Sequence, residues 1–250
     1  MTDQPVPEDA RTAELAASLA AVRKRLADAE LAAGRELGGV TLLVVTKFFP
    51  AEDLSRLIGL GADEFGESRE PEAGRKVAQV RAERPEAQFA VDMIGSLQRK
   101  KARSVARWAR RVHSVDSDRL VQALAGASST ARDEGERTSS LGVLLQVSLD
   151  GDPARGGVVE AGLAALADEV LAHGDVLSLD GLMAIAPLEG VVESHMAALA
   201  GIRERFVSRY PQARELSAGM SGDLEEAVAH GSTCVRVGTA IMGNRPLLSQ

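Results

Sequence analysis

TLLVVTKFF, residues 41–49, carries five strand-forming residues to a threonine and a lysine, then turns apolar again directly after it. Leucine and valine in an unbroken run suit a strand buried on both faces. The following residues include AEDLSRLIGLG, an amphipathic helical pattern closed by glycine. A dinucleotide-binding sheet would carry a GxGxxG turn at this junction, and none is present. The unit reads as strand, short turn, helix, with Lys47 at the strand's C-terminal end. Two readings of that lysine stand side by side. It ends the strand and extends its ammonium to water, or it is there for its amine, a nucleophile that forms imines with carbonyls.

The same unit repeats along the chain. Candidate strands are Leu42–Thr46, Glu64–Gly66, Phe89–Gly95, Val112–Val115, Val143–Leu149, Leu179–Ile185, Arg214–Ser217 and Thr233–Gly238. Helical patterns lie between them, among them GSLQRKKARSVARWARR, VVEAGLAALADEVLAHG and ESHMAALAGIRERFVSRY. Eight strands with a helix after each of the first seven imply a parallel sheet. About 250 residues is the usual length of one closed barrel of this kind. The expected fold is α/β, a single (β/α)8 TIM-type barrel, with an open doubly wound sheet as the runner-up. An additional helix, Ala13 to Gly34, precedes the first strand, and residues 1–12 are expected to be flexible. ASSTARDEGERTSS, Ala127 to Ser140, is expected to be a mobile polar loop without a domain boundary, so one domain fills residues 1–250.

Composition narrows the function. The 250 residues are 45% hydrophobic, 26% charged and 3% aromatic, with a net charge of -7. That balance disfavours a general nucleic-acid binder. The seven basic residues between Arg99 and Arg111 read as a solvated helix face rather than a nucleic-acid surface. One cysteine, Cys234, excludes an intramolecular disulfide and a CxxC metal site. His113, His173, His195 and His230 lack ligand spacing, so no metal site is assigned. The start, MTDQPVPEDARTAE, has no signal-peptide pattern, and no apolar run approaches a membrane span. A cytoplasmic monomer without membrane or nucleic-acid partners is expected.

In such barrels the site forms at the C-terminal ends of the strands, and phosphate often binds at the loops after strands 7 and 8. Lys47 falls on that rim. Strand 7 ends in ELSAGMSGDLEEAV, with Ser217, Gly219, Ser221 and Gly222, and strand 8 in CVRVGTAIMGNRP, with Arg236, Gly238 and Thr239. Hydroxyls and glycines let backbone N–H groups approach an anion, although ordinary turns use the same residues. Asp223, Glu225 and Glu226 crowd the start of the next helix and oppose a second anion there. A phosphate therefore falls mainly to Ser217, Gly238 and Thr239, with Ser221 in a lesser role. Glu67, at the end of strand 2, reads as a carboxylate bonded to a neighbouring loop.

These segments resemble the pyridoxal phosphate homeostasis proteins, barrels of the alanine racemase N-terminal-domain type (fold type III, without the C-terminal β domain). The matching stretches are VVTKFFP, FGESREPE, IGSLQRKKA, VHSVDS, LLQVSLDG, LDGLMAIAP and LSAGMSGDLEEAVAHGSTCVRVGTAIMGNR, nearly the full chain. The resemblance implies pyridoxal 5'-phosphate (PLP) bound to Lys47 as an internal aldimine. It further implies Arg236 opposite the pyridine nitrogen, and Ser217, Gly238 and Thr239 on the phosphate. Four positions depart from the family's pattern. Ser68 stands for its usual Asn, Val91-Asp92 for a Trp-His pair, Lys100 for an Asn, and Arg155 with two glycines for a serine-lysine loop. None of these is expected to touch Lys47, Arg236 or the GTA turn that begins at Gly238, so cofactor binding is expected to be intact while the rim of the pocket changes.

An arginine opposite the ring nitrogen disfavours protonating it and weakens the ring as an electron sink. Racemization also needs a proton donor on each face of the substrate carbon. In the related racemases a tyrosine is supplied with the help of a C-terminal domain. Here twelve residues follow Gly238 (250 minus 238), and the only tyrosine, Tyr210, lies in a surface-type helix. The expected function is PLP storage, buffering or delivery, possible recipients being PLP-dependent enzymes that lack their cofactor, with no catalytic residue assigned. A weak amino-acid racemase or another fold-type III PLP enzyme is the alternative.

Overall fold

The computed structural model describes residues 10–187 and 189–244. Its strands are β1 (Thr41–Val45), β2 (Glu64–Glu67), β3 (Ala90–Met93), β4 (Arg111–Val115), β5 (Leu141–Val147), β6 (Leu177–Ala184), β7 (Glu215–Ser217) and β8 (Cys234–Val237). They pair in parallel, in chain order, and β8 closes onto β1 through Leu42↔Val235 and Leu43↔Arg236. The closed eight-stranded barrel is the architecture expected from the repeated unit, and closure rules out the open sheet.

Helices α1 (Ala10–Ala32), α2 (Ala51–Gly59), α3 (Glu72–Glu83), α4 (Ala102–Val105), α5 (Asp118–Asp133), α6 (Glu160–Leu171), α7 (Val192–Arg209), α8 (Leu224–Ala229) and α9 (Thr239–Met242) surround it. Helix α1 buries Leu15, Leu19, Val22, Leu26 and Ala29, alternating steps of four and three that hold one face toward the barrel. Arg25 reaches from it to the Glu225 carboxylate, and Arg11 to Asp53. The flexible start expected over residues 1–12 lies outside the described residues up to residue 9. Residues 10–12 belong to α1, where the Arg11–Asp53 pair holds them.

Two expectations are corrected. The segment Ala127 to Ser140 is not a mobile loop: α5 continues to Asp133 with Ala127, Ser128 and Ala131 buried. Beyond it Arg137 is buried and donates to the carbonyls of Ala106, Ala109 and Ser140. A side chain that bonds four backbone carbonyls, that of Arg110 included, explains why so polar a sequence is ordered. The basic run is not one solvated face either. Arg103 and Arg107 pair with Glu134 on the surface, whereas Arg110 and Arg111 turn to the acids of the barrel floor, Glu64 and Asp180.

Gly181 sits where β6 meets β7, and a Cβ there would collide with the backbone carbonyl of Glu215. Gly126, inside α5, has open space around its Cα. Opposite effects are expected. Gly181→Ala should lower unfolding free energy by about 2–3 kcal/mol through overpacking, and Gly126→Ala should raise it by about 0.5–1 kcal/mol through helix propensity. Urea denaturation measures both.

Candidate functional site

Lys47 follows β1 in a tight turn, where Phe49 donates its N–H to the Thr46 carbonyl (3.1 Å). Phe48 takes φ 72°, the left-handed region that a side-chain-bearing residue enters only under constraint. The constraint is visible at Thr46. Its N–H donates to Gly66 O (3.1 Å), its hydroxyl to Glu67 Oε1 (2.7 Å), and its carbonyl accepts from Lys76 Nζ (2.9 Å). Lys76 also donates to Glu67 Oε1 at 2.6 Å, and this ion pair is almost wholly enclosed. Glu67 is thus bonded to the turn at the end of β1, as the sequence reading favoured. The half-buried Lys47 has its Nζ 5.9 Å from the Phe48 ring centroid, and the Arg69 guanidinium lies 5.5 Å from the same centroid. Backbone strain of this kind clusters where a side chain's direction matters.

Arg236, on β8, is buried inside the barrel. Its Nη1 donates to Ser217 Oγ (2.6 Å) and its Nη2 to the Ala184 carbonyl (2.9 Å), tying the ends of β6, β7 and β8 together. Among the described residues no carboxylate pairs with it. Ser217 Oγ also lies 3.1 Å from His113 Nδ1, and His113 Nε2 lies 3.0 Å from Asp92 Oδ2. Asp92 accepts Arg110 Nε (2.9 Å) and Nη2 (2.8 Å) on its two oxygens. Bonds joining β3 and β4 to β7 span strands that are not neighbours, so this chain of groups crosses the barrel's interior.

Burial disfavours the Asp92 carboxylate, but the bonds from His113 and Arg110 override it and hold its pKa down at about 2. Burial pushes the His113 pKa below the ordinary histidine value, and Arg236 and Arg111 push the same way, against Asp92. The pair is therefore a carboxylate and a neutral imidazole near neutral pH. The Cys234 thiol is pushed up to about 12 by burial and is no nucleophile.

Gly238 ends β8 and stands before α9; its Cα backs onto Val45, where an added Cβ would lie 3.4 Å from the Val45 carbonyl oxygen. That places it two residues of β1 away from Lys47. Thr239 is exposed at the first position of α9, and the first turn leaves the N–H groups of Gly238, Thr239 and Ala240 unused by the helix. In the turn after β7, Asp223 folds back to accept Met220 N–H (2.6 Å), so its carboxylate serves the turn. Ser221 is anchored the other way, its carbonyl held by Arg25 of α1 (2.7 Å).

The structure thus joins Arg236 to Ser217 directly and sets Gly238 beside β1, while Ser221 is tied to α1. Sequence reasoning missed His113, which looked like one of four scattered histidines. The signal was the Asp92 departure, an acid inside a predicted strand, with a basic residue and His113 beginning the next. Asp92 makes no direct contact with Arg236, in line with the expectation, but is linked to it through His113 and Ser217. Tyr210 is not on an exposed face: it is buried at the end of α7, its hydroxyl bonded to Asp168 Oδ1 (2.6 Å) and Ala164 O (3.0 Å). Arg155 bridges Asp150 (3.0 Å) and the carbonyls of Ile185 and Ala186 at the β5 and β6 ends. Lys100 is exposed, and the Ser68 carbonyl packs against Gly95.

Residues 17–246 match the family model for the alanine racemase N-terminal domain. A pyridoxal phosphate homeostasis protein of Mycobacterium tuberculosis is 47% identical over 248 residues, 96% of each chain. A protein of unknown function from Bifidobacterium adolescentis superposes with TM-score 0.83 at 32% identity, covering 95% of this chain and 98% of the other. PipY of Synechococcus elongatus, solved with PLP bound, gives TM-score 0.71 at 30% identity over 92% of this chain and 100% of its own.

The Lys76–Glu67 pair is buried, so removing one partner strands a charge. Lys76→Met should cost about 3–5 kcal/mol in urea denaturation, and adding Glu67→Gln should recover a large part of that loss. A Lys76→Met variant as stable as the native chain would show that the pair does not anchor the Lys47 turn.

Proposed function

This chain belongs to the pyridoxal phosphate homeostasis proteins, within the family of the alanine racemase N-terminal domain, and from that premise we propose that it binds PLP at the barrel mouth. The Lys47 amine holds the cofactor covalently, and the protein stores, buffers or delivers it within one barrel domain. The observation that carries this reading is Arg236: a buried guanidinium bonded only to neutral oxygens, with no carboxylate among the described residues. A cation left in that state fits a group whose ring nitrogen is to stay unprotonated and whose phosphate brings negative charge nearby. The amine of Lys47, the strained turn that aims it, and the glycine and hydroxyl opening α9 complete a donor set of the right chemistry.

When bound, PLP supplies an aldehyde that condenses with amines and a ring that draws electrons from the attached carbon. Arg236 keeps a proton off the ring nitrogen and so limits that withdrawal. Gly238 and Thr239 offer the phosphate backbone N–H groups and a hydroxyl, with the Ser221 turn at the edge of the same rim. Lys47 can move a proton on one face of a bound amino acid. For the other face the chain's only tyrosine is turned away: Tyr210 is bonded to Asp168 outside the barrel, and burial with Asp168 pushes its pKa up to about 12. That arrangement supports storage and delivery over catalysis.

Two measurements test this reading. Borohydride should fix the cofactor to the peptide containing Lys47, and Lys47→Ala should lose the visible absorption band; an adduct found only on another lysine overturns the assignment. In heavy water with L-alanine, α-proton exchange should be slow and D-alanine negligible. Turnover of about 1 per second, the low end of ordinary enzymes, would make the protein a racemase instead.

A further inference from the structure

We propose that Asp92 and His113 are positioning residues for Arg236: Asp92 fixes the His113 tautomer and His113 accepts the hydrogen bond of the Ser217 hydroxyl, so that Ser217 serves the guanidinium as an acceptor and has no hydrogen bond left to donate to a phosphate. This deepens the cofactor-binding reading and rests on it only for what Arg236 faces.

Hydrogen-bond direction carries the proposal. Asp92 receives two N–H groups of Arg110, one on each oxygen, and its Oδ2 also faces His113 Nε2 at 3.0 Å. A carboxylate only accepts, so His113 must carry its proton on Nε2. In a neutral imidazole the other nitrogen, Nδ1, is then an acceptor, and the polar atom facing it is Ser217 Oγ at 3.1 Å. The Ser217 hydroxyl accordingly donates to His113. Its oxygen accepts from Arg236 Nη1 at 2.6 Å, which the guanidinium, donor-only, requires. One proton and one lone pair of Ser217 are thereby assigned, and Asp92, His113 and Ser217 are all fully enclosed or nearly so. The charged groups facing His113 are Asp92, which favours its protonation, and Arg236 and Arg111, which oppose it together with burial. Its neutral state is what makes the directions consistent.

The order acid, imidazole, hydroxyl is that of a hydrolase triad, but the hydroxyl is buried and its oxygen is engaged by a cation. What the relay can do is fix geometry. Among the described residues Arg236 has one side-chain partner, Ser217, and one backbone partner, Ala184. A serine hydroxyl free to rotate would present its proton to the guanidinium in some rotamers, and His113 removes those.

Two arms test this. In ligand-free protein with nitrogen-labelled histidine, the His113 signals, identified by their loss in His113→Gln, should show a protonated Nε2 and a bare Nδ1 at about pH 8, above the ordinary histidine range. In Asp92→Asn, whose amide can donate to Nε2, the proton should shift wholly or partly to Nδ1. A native His113 protonated on Nδ1, or on both nitrogens, overturns the proposal. The second arm does not depend on Asp92→Asn folding. Ser217→Ala should weaken PLP and phosphate-free pyridoxal by the same factor, leaving the ratio of their dissociation constants within about twofold. A PLP-specific loss of about tenfold, the size of one charge-assisted hydrogen bond to phosphate, overturns it. If the native protein binds neither compound, the cofactor reading fails while the histidine spectrum still judges the relay.

Discussion

A guanidinium cannot shed its charge, so burying Arg236 without a carboxylate constrains everything around it. Desolvation alone pulls its pKa below the ordinary arginine value, and the neighbouring groups only partly oppose that. The fold answers with oxygens: the Ala184 carbonyl at the end of β6 and the Ser217 hydroxyl on β7. Both lie at the C-terminal ends of their strands, so the closed barrel is what brings them to one point. Other cations near the interior are matched by acids. Arg110 faces Asp92 and Glu64, Arg111 faces Asp180, and Lys76 faces Glu67. Arg137 is also held by carbonyls alone, under the loop after α5; Arg236 differs from it in sitting on the rim where ligands of such barrels bind.

The Lys47 turn follows a different logic, local strain held by surrounding bonds. A left-handed φ at Phe48 costs on the order of 1–3 kcal/mol, and no glycine relieves it. Thr46 makes up the difference with three groups, backbone N–H, carbonyl and hydroxyl, each bonded to β2 or α3. Lys76 is central because one ammonium bonds both the Thr46 carbonyl and Glu67. The lysine that would hold a cofactor is therefore aimed by a second lysine that holds the backbone.

The barrel was legible because its signals are periodic and local. Each strand is a short apolar run and each crossover an amphipathic one, and all eight expected strands overlap the observed ones, with ends shifted by two residues or fewer. Lys47, Ser217 and Arg236 were legible as candidates because they stand at strand ends in motif-like surroundings. What stayed hidden depends on contacts distant in sequence. His113 and Ser217 are 104 positions apart, and no spacing rule links them. The order of residues 127–140 rests on Arg137 reaching back some 30 positions to the Ala106 carbonyl. Tyr210 looked surface-like because its helix is charged, yet its ring packs on Phe206 and its hydroxyl on α6.

Asp92 shows how such a departure is to be weighed. Counted as a single site, an acid where relatives of this type carry histidine looks like a change at the rim. Its surroundings make it half of a unit with Arg110, which grips both carboxylate oxygens, and a neutral imidazole at position 92 could not return that bidentate contact. The imidazole would also leave His113 without the acceptor that sets its tautomer. Arg110 retains Glu64, so the loss would fall mainly on the inner side of the chain of bonds, toward His113, Ser217 and Arg236. A charge pair at the floor of the barrel and the orientation of a guanidinium at its mouth are in this way one structural problem, solved across β3, β4 and β7, of which β7 alone pairs with β8.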